Sequence, residues 1–190
     1  MKNTIIVNLF AGPGAGKSTG AAYIFSKLKL AGIDCEYVSE FAKDKVWEKN
    51  DEVFKNQFYI TGKQSFKISR CFGKVDVIIT DSPIALGALY APKEQPMLRA
   101  ACLEDFEKYH KQNLNIFINR VKAYNPNGRN QTEGEAKEID GNTSKFLEDN
   151  RIPYTVVDGN EEGYDKVVDL IKNEIRLEYN KNHPLFPRII

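Results

Sequence analysis

A short apolar run, Thr4 to Phe10, passes directly into Ala11-Gly12-Pro13-Gly14-Ala15-Gly16-Lys17-Ser18-Thr19, and a helix of apolar period begins inside that stretch. Few local patterns restrict a chain so much. Strand, glycine-rich turn, Lys-Ser and helix, in that order, form a cradle whose backbone N–H groups point inward around a polyphosphate, with the helix N-terminus adding its positive dipole end. Such a loop needs a buried strand before it and a helix packed behind it, which places the chain among α/β folds. The leading glycine of the pattern falls at Ala11, a small residue that the corner accommodates.

The remaining chain repeats the strand and helix alternation. Cys35 to Ser39, Val75 to Thr80, Asn115 to Ile118 and Tyr154 to Val157 join Thr4 to Phe10 as five candidate strands. Several are apolar throughout, as strands buried on both faces of a parallel sheet are. Ala21, Ile24, Phe25 and Leu28 form one helical stripe, and Tyr164, Val167, Val168, Ile171 and Ile175 form another. Thr132 to Glu135 reads as a capping box that opens a helix carrying Ala136, Ile139, Phe146 and Leu147. The expected architecture is a three-layer sandwich around a five-stranded, mostly parallel sheet.

At 190 residues the chain is long enough for one domain with a real core and too short for two. Residues 1–177 are read as that domain, and 178–190, with two prolines in HPLFPRII, as an extended tail. Lys and Arg number 27 against 26 Asp and Glu, a formal charge of +1, so no global field attracts polyanions or anionic membranes. Three cysteines without paired spacing suggest neither a disulfide framework nor a zinc site, and a reducing cytoplasm is the expected location. No run is long enough for a membrane span.

The loop assigns roles by residue. Gly12, Pro13, Gly14, Ala15 and Gly16 supply the wrapped backbone, Lys17 spans the β- and γ-phosphates of ATP, Ser18 ligates Mg2+ and Thr19 contacts the α-phosphate. Asp81, at the end of Val75 to Thr80, is a second magnesium-orienting candidate, while Asp81-Ser82-Pro83 is equally a good helix start. Glu40, delivered by Cys35 to Ser39, can position or deprotonate an acceptor hydroxyl. Beyond it lies an aromatic and polar segment, roughly Asp44 to Arg70, expected to be helical. There Trp47, Phe54 and Tyr59 offer stacking faces, and Gln57 and Gln64 offer amides for a nucleobase edge; ordinary core packing explains the same aromatics. Arg120 to Gln131, rich in Asn, Pro, Gly and Arg, is a candidate lid in which Arg120, Lys122 and Arg129 would face the transferring phosphoryl group; a solvated basic loop is the alternative. Asp158-Gly159-Asn160 ends the last strand at a turn near the expected adenine.

Around Ser39-Glu40-Phe41-Ala42-Lys43 the chain resembles the small kinase-like P-loop ATPases related to ribosylnicotinamide kinases and common in tailed bacteriophages, a resemblance that covers nearly its whole length. Lys43 stands where that family often has Arg. The order Glu40, Trp47, Phe54 to Tyr59, then Ser69-Arg70 is similar in outline to deoxynucleoside kinases, whose Glu is a base and whose Gln reads the nucleobase, and Arg70 enters the substrate-binding set on that likeness. Asp81-Ser82-Pro83 replaces their usual Glu-Arg-Ser. Together these imply an ATP- and Mg2+-dependent kinase of a nucleoside, nucleotide or related small molecule, in the host cytoplasm if the chain is of phage origin. A kinase acting on a modified base in phage DNA, and a regulatory ATPase with a protein partner, are the alternatives. Nucleic acid is the less favoured partner, no membrane is expected, and a homodimer is compatible with the chain.

Overall fold

In a computed structural model, residues 2–125 and 132–182 are described, with side chains through 178. Five strands, β1 (Ile5–Phe10), β2 (Cys35–Val38), β3 (Val77–Thr80), β4 (Asn113–Asn119) and β5 (Thr155–Asp158), form one sheet in the order β2-β3-β1-β4-β5. Every pairing is parallel, with Val7 opposite Ile79, Tyr37 opposite Ile79 and Ile118 opposite Val157. The strands therefore deliver their carboxyl ends to one edge, where Ala11, Ser39, Asp81, Arg120 and Gly159 follow them. In an open parallel sheet this edge is where ligands bind.

All six residues of β1 are buried, and the alternation of the strand sends them into two separate cores. Ile5, Val7 and Leu9 pack with Ala21, Ile24 and Leu28 of α1 (Lys17–Leu30) and with Tyr164, Val167, Val168 and Ile171 of α7 (Glu161–Asn182). Ile6 and Phe10 face the other way, among α3 (Gln57–Ser69), α4 (Ala85–Tyr90), α5 (Pro96–Glu107) and α6 (Glu133–Asp149). Each fully buried Leu, Ile or Phe contributes about 1.5–3 kcal/mol by removal from water, so the two apolar stripes account for the three layers. α2 (Phe41–Trp47) and a 3-10 turn at Asp51–Lys55 fill the span between β2 and α3.

Two expectations change, and one helix, α5, had not been anticipated. Residues 178–182, expected within an extended tail, belong to α7, which runs to Asn182 with no proline or glycine to interrupt it after Gly163; residues 183–190 lie outside the described residues. α5 carries a stripe of only Leu98, Cys102 and Phe106 among polar neighbours, too narrow to stand out in the sequence, although Pro96 sits where a helix start favours it. Asp81 does not cap a helix, since α4 starts at Ala85 with Ile84 at its N-cap and no side-chain cap. The capping box is present in full, Thr132 accepting from Glu135 N and Glu135 accepting from Thr132 N.

Candidate functional site

The glycine-rich loop connects β1 to α1 and is held from two sides. Gly16 has φ +117°, a left-handed value that a side chain resists, and its carbonyl accepts from the Tyr164 hydroxyl at 3.0 Å. At Gly12 the constraint is proximity: a Cβ there would lie 2.5 Å from the Ala136 carbonyl oxygen and 2.8 Å from Asp140 Oδ1 of α6. Lys17 folds over the loop and donates to the carbonyls of Ala11 (2.7 Å) and Gly12 (3.0 Å). Burial pushes its ammonium pKa down, against the pull of the Glu40, Asp81 and Asp140 carboxylates.

A second cation is built into the loop. Arg120, following β4, is only 8% exposed at its side chain. Its Nε donates to Asp140 Oδ2 at 2.8 Å and its Nη2 to the Pro13 carbonyl at 2.8 Å. The remaining nitrogen, Nη1, is buried with no hydrogen-bond partner among the described residues, and it lies 3.3 Å from where a Cβ on Gly14 would sit. An unsatisfied guanidinium N–H is costly unless something completes it. Beside a loop of inward-facing N–H groups, an anion is the group that would do so. Asp140 also accepts from Gly12 N at 2.5 Å, so one carboxylate clamps loop, arginine and α6 together.

The third and second strands bring two carboxylates beside Lys17. Asp81 is 1% exposed and both of its oxygens are engaged: Tyr37 Oη donates to Oδ2 at 2.8 Å, and Glu40 N donates to Oδ1 at 2.9 Å. Burial and the adjacent Asp81 carboxylate hold the Tyr37 phenol well above its ordinary pKa. Glu40 is half-buried at the N-cap of α2. Burial raises its carboxyl pKa, Lys17 opposes the shift and Asp81 adds to it. Ser18 Oγ lies 3.5 Å from Lys43 Nζ.

One cavity of about 690 Å3 joins these groups to the aromatic segment. Pro13, Gly14, Gly16, Lys17, Ser18 and Thr19 line one end, and Trp47, Phe54, Gln57, Ile60, Leu86 and Tyr90 line the other, with Glu40, Lys43 and Asp81 between. Lys122 also reaches the cavity. Trp47 is 65% exposed, so core packing does not explain it.

Of the sequence-derived acceptor residues, two lie off the cavity and a third is engaged within the protein. Tyr59 does not line the cavity; it packs edge-on against Phe41 with ring centroids 5.6 Å apart. Arg70 sits exposed at the C-cap of α3, also off the cavity. Gln64 lines the cavity but is only 4% exposed and both ends of its amide are bonded within the protein, Oε1 accepting from Phe41 N at 3.0 Å and Nε2 donating to Thr80 Oγ1 at 3.3 Å, which ties it to α2 and β3. Helical rotation is the reason: Gln57, Ile60, Thr61 and Gln64 share the inner face of α3, which leaves Tyr59 and Arg70 outside. Arg129 and half of the candidate lid, residues 126–131, lie outside the described residues. Gly159 packs its backbone against the Ala15 carbonyl, while Asn160 Oδ1 accepts from Gly163 N at the start of α7.

Reading the sequence missed Asp140, Tyr37 and Tyr90. A signal existed for Asp140, which interrupts the apolar stripe Ala136, Ile139, Thr143, Phe146 and Leu147 on the inner side of α6. Tyr37 looked like an ordinary strand residue, and only the parallel pairing of β2 with β3 places its ring toward Asp81.

No curated protein matches the chain. Among solved structures, a NadR protein in complex with NR superposes with a TM-score of 0.70 at 16% identity, over 90% of this chain and 51% of that one. The chain thus spans about half the length of that protein, and the likeness is one of fold, a P-loop NTPase-like α/β sandwich. No helix among the described residues is long and apolar enough to cross a membrane. The AAA domain family matches residues 6–163, from the start of β1 to the first turn of α7, and the chain belongs to that family.

Proposed function

We propose that this chain is a magnesium-dependent phosphotransferase that carries the γ-phosphoryl group of ATP to a nucleoside, nucleotide or related small acceptor. The observation that supports it most is the single cavity in which a phosphate loop faces an aromatic-walled pocket across Glu40. A hydrolase acting on water needs no such second chamber. A transferase does, because it must hold an acceptor hydroxyl in line with the phosphoryl group and exclude water.

In this reading Gly14, Ala15 and Gly16 supply backbone donors to the phosphates, Gly12 N being held by Asp140 and Pro13 having no N–H, and Thr19 contacts the α-phosphate. Lys17 binds the β- and γ-phosphates, and Arg120 offers its unpartnered Nη1 to the developing charge, with Arg129 as a further lid cation. Glu40 orients or deprotonates the acceptor hydroxyl, a role suited to a carboxyl raised toward the working pH. Trp47, Phe54 and Tyr90 wall the acceptor pocket, and Gln57, whose Nε2 donates to Thr61 Oγ1 at 3.3 Å, is the amide that lines it beside them. The donors Ser18 and Asp81 are hard oxygens of the kind Mg2+ takes, and the ion would neutralise phosphate charge when bound. No cluster of three acidic, His or Cys side chains forms a cage among the described residues, so phosphate oxygens and water would complete the coordination.

The test is transfer of label from γ-labelled ATP into nucleosides, nucleoside monophosphates and DNA, with Lys17→Ala as control. The expected result is acceptor-dependent transfer that the substitution reduces by at least 100-fold while the fold is retained. A fully active Lys17→Ala protein, or slow hydrolysis that no acceptor stimulates, would overturn the assignment.

A further inference from the structure

The chain is nearly neutral overall, yet its charge is unevenly distributed. From residue 53 to residue 75 there is no Asp or Glu, while Lys55, Lys63, Lys67, Arg70 and Lys74 all fall within those limits. Most of this segment is α3. Its inner face is occupied by cavity and core residues, with Gln64 and Ile68 buried. On the outer face Phe58 is 69% exposed and Phe66 64%, while Tyr59, 41% exposed, packs edge-on against Phe41. Gly62 lies between the two phenylalanines, one helical turn from each, and a Cβ built on it would meet nothing within 4 Å. The result is an open shelf with a flat floor and an aromatic ring at either end. Lys63 and Arg70 are exposed beside it, Lys63 lying 5.4 Å from the Tyr59 ring centroid.

Exposed aromatic area of this size on one helix marks a binding surface. The charge decides among partners. A second copy docking through the same face would set Lys63 and Arg70 against their own equivalents, a like-charge contact that disfavours an isologous dimer. A polyanion would be attracted, and one whose units carry flat π-faces would also use the rings. Asp105 pairs with Lys108 and Glu52 with Lys55, while Lys67 donates to Ser39, so Lys63 and Arg70 carry the positive charge of the shelf. The shelf and the cavity share one helix, Phe58 on the outer face directly following Gln57, a cavity-lining residue on the inner face.

We propose that the outer face of α3, formed by Phe58, Gly62, Phe66, Lys63 and Arg70, is a docking surface for single-stranded nucleic acid, with bases stacked on the two phenylalanines and phosphates paired with the basic side chains. This goes beyond the phosphotransferase reading and does not depend on it, because docking can be measured without turnover.

The experiment is fluorescence anisotropy of a labelled 20-nucleotide oligo(dT) titrated with the full chain, at 50 and 200 mM salt, beside a duplex of equal length. Two phosphate contacts, at Lys63 and Arg70, predict a log–log salt slope of about −1.4, an affinity loss of roughly 7-fold between the two salts. Phe58→Ala with Phe66→Ala is expected to weaken binding by at least 10-fold, and Lys63→Glu to flatten the slope by about one. Both variants change exposed groups, so thermal melts and ATP binding of the variants should match the parent and separate lost docking from lost fold. Absence of binding at 50 mM salt overturns the proposal. So do binding that the variants leave unchanged, duplex bound as tightly as the single strand, and self-association abolished by the phenylalanine substitutions without oligonucleotide binding.

Discussion

Removing the Asp140 carboxylate is the sharpest perturbation of this architecture. Its two oxygens accept from Gly12 N at 2.5 Å and Arg120 Nε at 2.8 Å, and the side chains of Arg120 and Asp140 are only 8% and 18% exposed. Asp140→Ala strands a buried guanidinium and a loop N–H together. Breaking one side of a well-buried pair costs about 3–5 kcal/mol; the partial exposure of Asp140 lets water recover some of it, so about 3 kcal/mol is expected. Against a total stability of about 5–15 kcal/mol that is a large fraction, and for a chain of this size it lowers Tm by about 6–12 °C. The measurement is a thermal melt of four proteins: parent, Asp140→Ala, Arg120→Met and the double variant. If the stranded guanidinium is the source of the loss, Arg120→Met should relieve part of it, giving a coupling energy of about 1–3 kcal/mol. An Asp140→Ala protein melting within about 1 °C of the parent, or strictly additive effects in the double variant, would refute the reasoning.

Gly12→Ala should destabilise by about 1–3 kcal/mol, because the added methyl meets a backbone carbonyl, Ala136 O, which cannot rotate away; an unchanged urea midpoint would contradict this. Tyr37→Phe removes a hydrogen bond to a buried carboxylate and should lower the urea midpoint by the equivalent of about 1–2 kcal/mol with no change in slope, so an unaltered midpoint would count against the Tyr37 contact. Glu40 has a folded-state pKa raised above its ordinary value of 4.5, so the native state holds its proton more tightly than the unfolded state does. The parent must then lose stability as pH rises from that value through the folded pKa. Glu40→Gln carries no such penalty: its Tm should exceed the parent's at about pH 8, with the gain vanishing by about pH 4. A variant less stable than the parent at pH 8 would show that pairing with Lys17 outweighs burial.

The order of strands and helices was legible because burial is written in periodicity. The apolar run of β1, the stripe of α1 and the stripe of α7 each report the face that meets the sheet. Gly16-Lys17-Ser18 at a strand-to-helix junction, and Glu40 and Asp81 at strand ends, were legible because the carboxyl edge of a parallel sheet collects whatever follows its strands. Such signals are local, carried by neighbours in the chain.

Tertiary structure decided what depends on rotation about a helix axis or on a partner more than a hundred residues away. Tyr59, Gln64 and Arg70 belong to the same aromatic and amide-rich segment as Gln57, yet the turn of α3 leaves Gln57 lining the cavity with the others spent or outside. Asp140 meets Gly12 across 128 positions, and no spacing rule connects an aspartate on a late helix to the second residue of a loop at the start of the chain. Residue type and periodicity thus determined a P-loop α/β sandwich. Packing alone determined how Lys17, Arg120, Asp81 and Glu40 are clamped, because hydrogen bonds and buried charges depend on distances that only the folded chain sets.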